Sequence, residues 1–282
     1  MKIVATLFLL GFLAGNSSAQ ELFINSEPAS NMPRNSFGLR IGSESFSQAS
    51  ALKSRTDLEL MYEENANLMT TAMLHASNYY GSYQYNNFGL YAKYRIYTDD
   101  GFKQHFRVAA YAEAAFGPQR NTFADIMLDG GNSGLNAGLI FTLLENHLAL
   151  SSTLGAIMLV PNEAVYTDIK NYLFSLSAGY LIYPSLYESY HDLNINFYAE
   201  LLGKYITYDK PGVVNYTPIA GENPDPPTVH ERNIVLDLAI GPQVIINSIS
   251  RIDLSVRMRL ISEVESFPTP AVLIRFEQMF YH

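Results

Sequence analysis

From Arg251 to Leu260 the chain alternates without a break. Ile252, Leu254, Val256, Met258 and Leu260 share one parity; Arg251, Asp253, Ser255, Arg257 and Arg259 share the other. A strand turns successive side chains to opposite faces, so this stretch makes one wholly apolar and one wholly polar surface. The pattern recurs. Phe88, Leu90, Ala92, Tyr94 and Ile96 alternate with Gly89, Tyr91, Lys93 and Arg95. Leu193, Ile195, Phe197, Ala199 and Leu201 alternate with Asn194, Asn196, Tyr198 and Glu200, with Lys204 following. Segments of this kind fall at 36–46, 55–64, 67–77, 86–97, 103–116, 133–143, 147–158, 170–183, 191–206, 232–247, 250–262 and 270–281. They predict about 12 strands, with bounds good to about two to four residues.

The connections alternate in length. Asn65–Ala66, Glu145–Asn146 and Ser248–Ile249 are very short, and 99–102 is slightly longer. Between them lie long stretches at 117–132, 160–169 and 207–231. One side of the sheet therefore carries tight turns and the other long loops, with 184–190 a longer turn on the short side.

The chain opens with Met1 and Lys2, an apolar run from Ile3 to Ala14, and small residues at Ser17 and Ala19. This is the layout of a secretory signal cleaved before Gln20. An anchor helix needs about 20 apolar residues, more than the run supplies. The expected organisation is a cleaved signal peptide over 1–19, a periplasmic N-terminal leader over 20–35 that is rich in Pro, Ser and Asn, and a strand-built body over 36–282. There is no Cys, which excludes lipidation at Cys, disulfides and Cys-based metal sites or catalysis. Lys and Arg number 18 against 27 Asp and Glu, a net charge of −9. Loss of Lys2 with the signal takes this to −10, an unfavourable balance for nucleic acid.

A soluble sandwich also alternates. Three features favour a membrane barrel instead. The strands are long: about ten tilted residues cross the hydrocarbon, whereas soluble strands average about five or six. Aromatics mark strand ends on the apolar parity. Phe106 and Phe116, or Tyr172 and Tyr180, would stand roughly 20–25 Å apart across the membrane at about 3.3 Å per residue and a tilt near 40°. Charges collect on the opposite parity at Arg40, Asp57, Glu59, Lys93, Arg95, Arg107, Glu113, Glu200, Lys204, Asp237, Arg251, Asp253, Arg257, Arg259, Arg275 and Glu277. These are the candidate lumen-lining residues. The expected fold is all-β, a transmembrane antiparallel up-and-down β-barrel with short periplasmic turns and long external loops. An open edge in lipid would strand backbone polar groups, so the last strand must pair with the first near Phe37, Leu39 and Ile41.

The ending Ala271–His282, AVLIRFEQMFYH, resembles the C-terminal strand of bacterial outer-membrane proteins, which the barrel assembly machinery recognises by a terminal aromatic. The resemblance makes Phe280 that assembly signal, with Tyr281 and His282 trailing it. The wider chain resembles Bacteroidota-type barrel proteins, some of them labelled transporters. The resemblance rests on Pro28–Arg40 (PASNMPRNSFGLR), Leu58–Tyr62 (LELMY) leading into Asn67-Leu68-Met69, and Leu90–Arg95 (LYAKYR). It implies a Gram-negative outer-membrane location, with lipid and lipopolysaccharide around the barrel, and brings no known substrate.

Function is less constrained. Arg251, Arg257 and Arg259 on one strand would make a positive, anion-favouring wall if unpaired, or a filled interior if paired with Asp237, Asp253 or Glu277. Barrels of about eight strands are filled by their own side chains and those of sixteen to eighteen hold water, so a dozen lies between. The leading expectation is passive, porin-like permeability for a small solute, without cofactor or metal. A structural or surface-interaction barrel is the alternative. A third reading rests on His75-Ala76-Ser77, which resembles the His-x-Ser pattern of outer-membrane phospholipases and lipid A deacylases; the resemblance implies His75 as base and Ser77 as nucleophile of a lipid hydrolase. On that strand Met69, Thr71 and Met73 alternate with Leu68, Thr70, Ala72 and Leu74, which leaves the facing open. Met61, Met69, Met73 and Met158 raise soft-metal ligation, but they are scattered over several strands and barrel packing explains them better. Asp209, Glu222, Asp225 and Glu231 lack calcium-loop spacing.

Overall fold

The computed structural model describes residues 23–48, 51–79, 81–101, 104–118, 128, 131–160, 167–184, 193–211, 228–263 and 270–281. The signal-peptide expectation for 1–19 lies outside them, as do Glu222 and Asp225. Twelve strands close into one barrel: β1 (Ser36–Gln48), β2 (Ala51–Asn65), β3 (Leu68–Ser77), β4 (Gln84–Asp100), β5 (Gln104–Phe116), β6 (Gly134–Glu145), β7 (Leu148–Leu159), β8 (Thr167–Tyr183), β9 (Asn194–Pro211), β10 (Thr228–Ile246), β11 (Ser250–Ser262) and β12 (Ala271–Tyr281). Every neighbour pair is antiparallel and sequential, and β12 closes on β1 through Phe37↔Phe280, Leu39↔Gln278 and Ile41↔Phe276. Closure removes the sheet edges that lipid would not tolerate.

Both ends of the chain's strand run meet at one rim, where Ser36 faces Tyr281. The turns at 66–67, 146–147 and 247–249 lie at this terminal rim, with Asn146, Asn247 and Ser248 in the left-handed region that tight turns require. The opposite rim carries the longer connections but is not uniformly long. The 1–2 connection is two residues, because β1 and β2 run beyond the expected bounds to Gln48 and from Ala51. β9 and β10 likewise extend to Pro211 and from Thr228, into both ends of the stretch 207–231 read as loop. There Asp209 pairs with His230, and Tyr208 hydrogen bonds to Glu231. Beyond the apolar band, outward positions no longer need apolar residues, so the alternation fades while the ladder continues.

The outward face is apolar. Ile252, Leu254, Met258 and Leu260 on β11, and Val272, Ile274, Phe276 and Phe280 on β12, are all exposed. So are the four aromatics expected as girdle residues, Phe106, Phe116, Tyr172 and Tyr180. Two bulges reset parity on β4. One, at His75/Ala76 of the β3 pairing, buries both Asn86 and Asn87; the other, between Arg95 and Tyr97, exposes both Ile96 and Tyr97.

Candidate functional site

The barrel's interior is its candidate site, and the first thing inside it is the chain's own leader. The sequence places residues 20–35 on the periplasmic side; the structure carries the described part of them, from residue 23, into the lumen from the terminal rim. Phe23 and Ile24 are buried against Leu144, Ala149 and Tyr198 of the far wall, with the Phe23 and Tyr198 rings edge-on at 5.6 Å. Glu200 Oε2 accepts from the Asn25 backbone N–H, and Glu200 Oε1 from the Ser26 hydroxyl at 2.8 Å. Glu27 Oε1 meets Arg40 Nη1 at 2.6 Å. Lys93 Nζ donates to the carbonyls of Pro28 and Ser30, both at 2.8 Å. Ala29 N–H donates to Thr142 Oγ1 at 2.9 Å, and Arg107 Nη1 to Ser30 Oγ at 2.8 Å. Arg275 donates to the Ile24 carbonyl. The segment is thus tied to β1, β4, β5, β6, β9 and β12, and spans the lumen rather than hugging one wall.

Glu27 is only partly covered, yet its carboxyl is held well below the usual carboxylate range. Burial alone would raise it; the charges of Arg40, Lys93 and Arg251 outweigh that.

Most inward charges of the half-barrel from β10 through β3 form two chains of ion pairs. The chain nearer the terminal rim runs Arg275–Asp253–Arg251–Glu277–Arg40–Glu59, with separations of 2.8–3.1 Å. The farther one runs Arg259–Asp237–Arg257–Glu44–Arg55–Asp57–His75. Arg251, Arg257 and Arg259 do sit together on one wall, but each is matched to a carboxylate. The anion-favouring positive wall is therefore not what forms. The paired arrangement won because desolvated charge is tolerated only with a partner. Arg95 lies at the terminal rim, donating to the Ala66 carbonyl. Glu113 accepts from Asn136 at 3.0 Å. Lys204 and Glu113 line a cavity of about 390 Å³ whose floor is residues Ile24–Glu27. Leu128, from the 5–6 connection, reaches into the same space and accepts from the Asn87 amide through its carbonyl. Opposite, β6 and β7 present an uncharged stretch of wall, with Ile140, Thr142, Ala149 and Ser151 buried.

The third reading meets a geometric obstacle. Met69, Thr71, His75 and Ser77 all face the lumen and Leu74 faces out. His75 Nδ1 pairs with Asp57 at 2.6 Å, while the Ser77 hydroxyl donates to Asn86 Oδ1 at 3.0 Å. A nucleophile needs its proton aimed at the base, and a lipid substrate needs the outer face; this pair offers neither. Met158 is exposed to the outside, and Met61 and Met69 are buried within.

Sequence alone missed the leader's destination. One signal was present: the apolar run Leu22-Phe23-Ile24 in a mostly polar stretch, which needs a buried partner.

A closed sheet with an oily outer belt and an ionised interior defines a β-barrel of the outer-membrane type. Its fold matches the COG4313 outer membrane channel from Pseudomonas putida F1, with a TM-score of 0.61 over 92% of this chain and 100% of that one, at 10% identity. A bacterial polysaccharide outer membrane secretin aligns more loosely, with a TM-score of 0.41 over 89% of this chain and 100% of that one, also at 10% identity. No family model and no curated relative matches the sequence.

Proposed function

We propose that this barrel is a small-solute channel of the bacterial outer membrane whose lumen is closed at rest by its own N-terminal leader, and which conducts when that leader shifts. The observation behind it is the way the leader is held. Most of its contacts are polar ties to side chains around the wall, each replaceable by water, and its apolar contacts are confined to Phe23, Ile24 and Ala29. Such a segment can exchange its bonds for hydration and leave without unfolding the barrel. On this reading residues 1–19 are removed on secretion, and the barrel resides among lipid and lipopolysaccharide. Its descent from the Bacteroidota-type barrels belongs to the same proposal.

The test is conductance in planar bilayers, comparing the secreted chain with a chain lacking residues 20–33. The full chain is expected to give rare, small openings and the truncated chain sustained ones. If the truncated chain folds and remains silent, the ion-paired lumen is closed in its own right, and the structural or surface-interaction reading stands instead.

A further inference from the structure

The sulfurs of the described chain are not evenly spread. Met32, Met61, Met69 and Met279 all lie at the terminal end of the interior, where the leader joins the wall. Met61, Met69 and Met279 are nearly fully buried. Met61 and Met279 are the two cross-strand partners of Gly38. Because Gly38 has no side chain, the space over it is open to both neighbours, and it is filled from above. The Met32 sulfur stands 3.2 Å, and the Met61 methyl 2.6 Å, from where a Gly38 Cβ would be. Met69 is the diagonal neighbour of Met61, since Met61 pairs with Thr71 and Glu63 with Met69; such diagonals lie about 7–8 Å apart, within reach of long side chains.

A second observation falls at the same place. Glu63, two residues along β2 from Met61, is 0% exposed, and its carboxyl has one side-chain hydrogen-bonding neighbour. That neighbour is the side chain of Asn31, next to Met32. A carboxyl offers about four acceptor positions, so one amide neighbour leaves it with capacity to spare. The thioethers are soft donors of the kind that select Cu(I), and the carboxyl and amide oxygens beside them are hard ones. Lys93 and Arg95 lie within electrostatic range of Glu63. Their charges oppose added positive charge, so one unit is tolerated better than two.

We propose that Met32, Met61, Met69 and Glu63 form a binding site for a soft monovalent metal ion of the Cu(I) class, with the Asn31 amide oxygen beside it. The ion would bridge leader and wall, since Met32 belongs to one and the other three to the other. Packing is the competing account, because methionine fills irregular gaps well. Leucine fills them too, and has no sulfur.

The test uses Ag(I), the redox-inert analogue of Cu(I), in chloride-free nitrate buffer. The full chain in detergent micelles is titrated by calorimetry, with stoichiometry by elemental analysis and ligand identity by silver-edge X-ray absorption. The expected result is about one Ag(I) per chain with sulfur in its shell. The double variant Met61→Leu/Met69→Leu should bind at least about tenfold more weakly while keeping its β circular dichroism. The lipid-facing control Met158→Leu/Met258→Leu should bind as wild type. No binding by wild type, unchanged binding in the lumen variant, or loss in the lipid-facing control would each overturn the proposal. Binding is read without conductance, so this outcome is separate from the fate of the gating reading.

Discussion

Glu200 Oε2 accepts two hydrogen bonds from Asn25, one from its backbone N–H and one from its side-chain amide, each 2.7 Å long. The other oxygen of the same carboxylate takes the backbone N–H and the hydroxyl of Ser26, at 3.1 and 2.8 Å. One buried wall residue therefore holds two successive residues of the leader. Hydrogen bonds to a charged acceptor contribute about 1.5–3 kcal/mol each, so this is the strongest single tie between plug and wall. Glu200→Gln keeps the shape and removes the charge. We expect it to raise the open fraction roughly tenfold to a hundredfold, on the scale of about 1.4 kcal/mol per tenfold. Single-channel recordings measure this directly, and an unchanged open fraction would mean that the tie does not hold the gate.

The pH dependence of closure follows from Glu27. Its docked carboxyl lies well below the ordinary value of 4.5, held there against burial by Arg40, Lys93 and Arg251, with Glu59 and Glu277 sharing Arg40. A depressed carboxylate contributes fully above its undocked pKa and loses that contribution as pH falls through the docked one. Closure should therefore be flat from about pH 5 to 8 and weaken only in stronger acid. In Glu27→Gln the plug should be looser at neutral pH and this acid step smaller. A midpoint near pH 6 to 7, equal in both proteins, would assign the gate to a different group.

Tyr198 connects barrel shape to the plug. Its ring lies across Gly179 of the neighbouring strand so closely that a Cβ there would overlap it. Its hydroxyl donates to Gln243 Oε1 at 3.0 Å, and its ring meets that of Phe23 edge-on. Gly179→Ala must push the ring away and disturb both contacts. A disturbance of this kind costs about 1–3 kcal/mol. The expected readout is faster proteolysis of the leader in the intact barrel, with the heat resistance of the folded barrel little changed. A variant whose leader is cut no faster would show that Tyr198 does not support Phe23.

The strands were legible because the membrane imposes one rule on every outward position, and that rule shows at each pair of residues. Ser250–Ser262 was read to the residue, and the closure of Phe280 on Phe37 followed from the cost of an edge in lipid. The interior obeys no local rule. Glu200 and Asn25 are 175 residues apart, and neither neighbourhood announces the other. The same applies to Arg257 and Glu44, whose pairing turned an apparent positive wall into a neutral one. The bulge beside His75 was equally silent in sequence, because one inserted residue changes parity without changing composition.

The lumenal position of Ser77 makes a definite expectation for lipid hydrolysis. With its hydroxyl committed to Asn86 and the wall between it and the bilayer, wild type and Ser77→Ala should release fatty acid at the same background rate. Release by wild type that Ser77→Ala abolishes would restore the hydrolase reading.

Phe280 separates assembly from stability. Its ring points outward into the apolar belt, 52% exposed within the chain, at the seam where β12 pairs with β1. A lipid-facing ring exchanges one apolar surrounding for another when it is removed, so Phe280→Ala should cost the folded barrel little. If the ring is the terminal aromatic that the assembly machinery reads, the same change should lower the folded yield in cells several-fold. The two roles are told apart by comparing heat-modifiable folded protein from outer membranes with unassisted refolding into lipid vesicles. A loss in cells with unchanged unassisted refolding assigns Phe280 to recognition. Equal losses in both would place its contribution in the β1–β12 seam, where the strands themselves must find each other.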